Sequence, residues 1–196
     1  GTVAFFAYSN EGTSIVTGNG GPLTPIVRDK TDAFPAFVLE PTGTLAFNDN
    51  GTVAFISYLK GGKIGIVKAD GGTFSTLAEN TGAFDRFSTV ALNNKGQVAF
   101  QAHMRGPNPD RPVTGIFAGP DPVADKVLAV GDPLFNSTVT QLALWRDGLN
   151  DLGQIAFLAT LADGRQVIGR TTLADPPATA AEEEQGKEGA YLRMPF

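Results

Sequence analysis

An eight-residue pattern, Asn-x-x-Gly-x-x-Ala-Phe, recurs along this chain. It stands complete at Asn48–Phe55, Asn93–Phe100 and Asn150–Phe157, and the chain opens on a clipped copy, Gly1–Phe5. The Phe residues that close the copies are 50, 45 and 57 positions apart. Self-similarity at that spacing is the mark of a repeat architecture. It constrains shape far more than chemistry.

The pattern has a physical reading. Asn at the first position can bond a backbone N–H two residues on, and Gly three residues later tolerates the positive φ that closes a type I turn. Residues on both sides alternate with the period of a strand. Val98 and Phe100 fall on one face, with Gln97, Ala99 and Gln101 on the other. The unit is therefore a tight hairpin with a G1-bulge-like corner. Asn48, Gly51, Asn93, Gly96, Asn150 and Gly153 are its structural turn residues. A small Ala beside a large Phe suits close packing between neighbouring sheets.

Each hairpin is followed by two further apolar strands. A Gly-Ile type comes first, as in Lys63–Lys68, Val113–Gly119 and Arg165–Arg170. A Leu-Ala or Leu-Thr type follows, as in Leu23–Val27, Phe74–Ala78 and Lys126–Val130. Four short antiparallel strands in about 50 residues match one propeller blade. The expected fold is thus all-β, a β-propeller-like array of about four blades of four-stranded antiparallel sheets. Residues 1–174 form the repeat domain, with repeats at about 1–35, 36–85, 86–138 and 139–174. On this phase the first blade lacks its inner strand and the fourth an obvious outer one. Either the array belongs to a larger propeller, or the ring closes with Ala190–Phe196 supplying a strand; the mid-motif start favours the former.

Composition narrows the function classes. Asp and Glu number 20 against 15 Lys and Arg, a net charge of −5. Nucleic-acid binding calls for a basic stripe instead. No run approaches the roughly 20 apolar residues of a spanning helix. Cys is absent, which removes disulfides, thiolate metal sites and cysteine nucleophiles together. The 14 Phe against one Trp and 3 Tyr form a core-packing profile rather than a sugar-stacking one.

Chemistry-bearing residues are sparse. The single His, His103, is expected near a strand end in a structural or solvent-facing role. Glu40, Asp85 and Asp147 precede the Asn turns and are the candidates for a glycosidase-like carboxylate pair, yet their spacing singles none of them out. Asp49 and Asp151 have no acidic counterpart at Asn94, which argues against a repeated cation site. No nucleotide or hydrolase fingerprint is present. Neither cofactor, metal nor catalytic residue is expected. Trp145, if exposed, would be a partner contact with Arg146 as its polar half. The Pro-rich loop Gly106–Pro112 is the most elaborate projection. Residues 175–196 read as a linker and tail, whose Tyr191, Leu192, Met194 and Phe196 could anchor on a protein partner.

The three full motifs, the Gly1–Phe5 remnant and the Gly115-Ile116-Phe117 type strand resemble the bacterial NxxGxxAF tandem-repeat proteins. The spacing is also similar to TolB-type propeller repeats, where Ser-Pro-Asp-Gly stands in place of Asn-x-x-Gly. The resemblance implies a propeller-like fold and an exported protein, extracellular or periplasmic. It implies no activity. The leading expectation is a non-enzymatic binding or scaffolding module of the bacterial cell envelope that contacts other proteins. An accessory structural subunit of a membrane-associated complex comes second, and a polysaccharide hydrolase or lyase third.

Overall fold

The computed structural model describes residues 1–31, 33–37, 44–106 and 113–173. Among them lie sixteen strands and no helix, arranged as four antiparallel sheets in chain order. Sheet 1 holds β1 (Val3–Ser9), β2 (Gly12–Gly18) and β3 (Thr24–Arg28). Sheet 2 holds β4 (Ala36–Phe37), β5 (Leu45–Phe47), β6 (Val53–Leu59), β7 (Lys63–Asp70) and β8 (Thr73–Glu79). Sheet 3 holds β9 (Phe84–Leu92), β10 (Val98–Met104), β11 (Val113–Phe117) and β12 (Lys126–Ala129). Sheet 4 holds β13 (Pro133–Leu134), β14 (Ser137–Leu149), β15 (Gln154–Leu161) and β16 (Gln166–Thr172).

The departures from four strands per sheet have simple causes. In sheet 2 the first strand is split: β4 pairs the far end of β6 and β5 pairs the near end. Buried Ser57 on β6 donates its hydroxyl to the Ala36 carbonyl at 3.0 Å, so the split leaves it satisfied. Sheet 4 keeps four strands, the first of which, β13, is a two-residue hairpin arm on β14, at the edge away from β15. Sheet 1 has no strand on the free edge of β1 among the described residues.

Period-2 alternation gives every sheet two faces, and both faces of the middle sheets are buried. The Phe face of sheet 2 (Val53, Phe55, Val67) packs with Ile15 and Val27 of sheet 1. The Ala face of sheet 2 (Ala54, Ile56, Ile66, Ala78) packs under Val90, Val98, Phe100 and Phe117 of sheet 3. The Ala face of sheet 3 (Ala91, Ala99, Ile116, Leu128) packs under Leu144, Ile155 and Phe157 of sheet 4. One interface is thus built three times: a Phe face seated on the Ala face of the sheet before it. The small Ala lets the sheets approach, and each fully buried Phe or Ile contributes about 1.5–3 kcal/mol. Edge-to-face ring pairs, such as Phe84 with Phe117 and Phe37 with Phe55, add to the middle clusters.

Candidate functional site

The repeated corners meet in one place. In each full motif the Gly N–H donates to the carbonyl of the motif's first Asn: Gly51 to Asn48 at 3.2 Å, Gly96 to Asn93 at 3.0 Å, Gly153 to Asn150 at 3.0 Å. The three glycines take φ of 85°, 76° and 72°, the left-handed region that glycine enters without steric cost. The Asn Oδ1 accepts from two backbone N–H groups of its own turn: for Asn93, from Lys95 at 3.1 Å and Gln97 at 3.0 Å. Asn48 and Asn150 repeat this geometry.

The other half of each amide reaches the next repeat. Asn48 Nδ2 donates to the Asn93 carbonyl, and Asn93 Nδ2 to the Asn150 carbonyl, both at 2.9 Å. One residue on, the Asp49 N–H donates to Asn94 Oδ1 at 2.8 Å, and the Asn94 N–H to Asp151 Oδ1 at 2.7 Å. The Asn94 amide sits between two carboxylates, donating to Asp49 Oδ2 at 2.9 Å and Asp151 Oδ2 at 3.0 Å. The motif is therefore a turn and a rung at once. Residues 45 and 57 apart in sequence are tied into a directional ladder across three sheets.

The ladder lines a cleft of about 510 Å³. Its walls are β5, β9 and β14, from sheets 2, 3 and 4, and the start of sheet 1. They contribute Thr2–Ala4, Leu45–Phe47, Leu92 and Arg146, with Asp147 and Leu149 beyond. Asp49, Asn94 and Asp151 supply polar groups to its lining. Between Leu144 and Leu149 the β14–β15 register slips. This bulge carries Arg146 and Asp147, both exposed, with Arg146 Nε 3.6 Å from Asp147 Oδ2. Bulges commonly re-aim side chains at functional sites. A second groove, about 650 Å³, runs past Leu77, Phe100, Pro120, Val127 and Leu173, with Asp125 and Lys126 as its charged side chains.

The sequence candidates are dispersed. Trp145 is 55% exposed and does not line the cleft, whereas Arg146 does, so the cleft takes up only the polar half of this pair. Asp147 lines the cleft; Asp85 does not, and lies 3.7 Å from Arg105 at an exposed edge of sheet 3. His103 is half-buried on β10, with Nδ1 3.2 Å from Thr114 Oγ1. Burial, then the Arg86 charge, hold its pKa below the ordinary 6.5, against an opposing pull from Asp85. Among the described residues no group of three or more His, Cys, Asp or Glu side chains is arranged to hold a metal ion. Glu40, residues 107–112 of the Pro-rich loop, and the tail with Tyr191, Leu192, Met194 and Phe196 lie outside the described residues.

The model of a family described as "Family of unknown function (DUF7453)" matches residues 1–169. The chain belongs to this family. The matched stretch takes in all four sheets up to β16 and every residue of the ladder and cleft. No curated protein matches the chain. Among the described residues no helix is long and apolar enough to cross a membrane.

Proposed function

We propose that this chain is a non-enzymatic binding and scaffolding module with a propeller-type arrangement of its four sheets. It acts at the bacterial cell envelope, extracellular or periplasmic, by contacting other proteins. The envelope location is supported by the resemblance of the repeats to NxxGxxAF proteins. The propeller arrangement is supported by the one observation that also carries the function: β5, β9 and β14, from three different sheets, converge on a single polar cleft, pinned by the Asn ladder.

A cleft fixed by a rigid ladder is preorganised, which lowers the cost of binding. Its lining offers Arg146 and Asp147 on a bulge, together with Asp49 and Asp151. Three carboxylates against one guanidinium suit an extended, hydrogen-bonding protein segment with a basic residue. The test is chemical cross-linking of the purified protein to bacterial envelope extract, run beside the double variant Arg146→Ala, Asp147→Ala. Specific protein partners captured by the parent and lost by the variant support the reading. An unchanged partner set would sink it, as would polysaccharide cleavage that disappears in Asp147→Asn.

A further inference from the structure

The three internal interfaces show what the two outermost faces are built to meet. Ile15, Ile66, Ile116 and Ile168 occupy one equivalent position, each paired to the residue that follows a motif Phe: Phe6, Ile56, Gln101 and Leu158. The first three are 0% exposed because the Phe face of the next sheet covers them. Ile168 is 85% exposed. The motif alanines agree: Ala54 and Ala99 are fully buried, while Ala156 is exposed. The opposite end shows the complementary defect. Phe55, Phe100 and Phe157 are buried, but Phe5 is 38% exposed, beside exposed Val3 and Leu23.

Among the described residues sheet 4 therefore ends in an exposed Ala face and sheet 1 in a Phe face that is open at Val3 and Phe5, although Val16 beside Phe5 is buried. They are the two halves of the interface that the chain already makes three times. Exposed apolar patches of this kind mark interaction sites. Here the pattern of the molecule itself specifies the occupant. We infer that the Ala156–Ile168 face of sheet 4 binds the Val3–Phe5 face of sheet 1 in a second copy of this chain, head to tail. The contact is heterologous: two different patches meet, so it either closes into a ring or extends as a filament.

The experiment is sedimentation of the full chain over a range from about 1 to 500 μM, with two face variants. Ile168→Asp spoils only the Ala face, and Phe5→Asp only the Phe face; Val3→Asp is the milder second choice should Phe5→Asp disturb folding by circular dichroism. The parent should rise to twice the mass of one chain or more. Each variant alone should stay monomeric. An equimolar mixture should re-associate, because each variant keeps the half that the other lost. A parent that remains monomeric throughout would overturn the inference, including the case in which residues beyond 173 cover the face. A dimer abolished by Ile168→Asp and untouched by both Phe5→Asp and Val3→Asp would overturn it too, since that is a like-with-like contact.

Discussion

At the scale of single residues the Asn of the motif does two jobs, and they separate by position. Asn93 is buried and makes four side-chain hydrogen bonds, two of them to its own turn's N–H groups, one to Gln97 Oε1 and one to the Asn150 carbonyl. Asn150 is exposed, keeps the turn bonds and the Gln154 contact, and has no following rung among the described residues. Leaving buried partners unpaired costs about 1–3 kcal/mol. Asn93→Ala should therefore lose about 2–3 kcal/mol in urea unfolding and Asn150→Ala about 1 kcal/mol or less. Equal losses would mean that the inter-sheet bond carries nothing. His103 gives a pH test. Its folded pKa is depressed by burial and by Arg86, so as pH falls through about 6.5 the unfolded chain takes up the proton first. Its contribution is intact above that value, declines as pH drops toward the folded pKa, and is level below it. The melting temperature of the parent minus that of His103→Gln should fall between pH 7.5 and 5; a constant difference would refute the assignment.

At the scale of elements, the strand order of sheets 1 and 3 was legible because turn chemistry and alternation agree, whereas β13, which joins sheet 4 from residues assigned to the third repeat, and the split of β4 from β5 were not. The Asn-Gly corners and the Val98/Phe100 alternation correspond to antiparallel hairpins such as β9–β10. The ladder was less legible. An Asn that closes its own turn reads the same whether or not its amide also reaches a carbonyl 45 residues away. The signal was the recurrence of Asp or Asn at the second motif position, Asp49, Asn94 and Asp151. The cleft was hidden for a related reason: Arg146 and Asp147 owe their placement to a register slip that periodicity does not reveal. The glycines on either side of the strand isoleucine, Gly115 before Ile116 and Gly169 after Ile168, are explained only by packing. A Cβ on Gly169 would enter the ring of Phe157, its cross-strand partner, and one on Gly115 would come within 2.7 Å of the Phe117 ring. Overpacking of this kind costs about 1–3 kcal/mol. Gly169→Ala should therefore lower the melting temperature, and the smaller ring-site variant Phe157→Leu should recover part of that loss in the double mutant. Strict additivity of the two changes would show that the ring and the glycine are not coupled.

At the scale of the molecule, the stack of sheets imposes a gradient of stability. Sheets 2 and 3 contribute to core clusters on both faces; sheets 1 and 4 contribute to one each. In arrays whose units touch only their neighbours, stability is close to a sum of unit and interface terms. A unit with two interfaces opens less often than a unit with one, and amide exchange reads that difference directly. Sheet 1 is the weakest, because β1 also lacks a partner on its free edge among the described residues. Native-state hydrogen exchange on dilute protein should therefore rank protection as β6, β7, β10 and β11 first, β15 next, and β1 to β3 last. Raising the protein concentration should selectively slow exchange in β1, β2, β15 and β16 if copies join through their open faces. Exchange of all four sheets at one common free energy would mean that the Asn ladder couples them into a single cooperative unit, and the stepwise account of the stack would have to be given up.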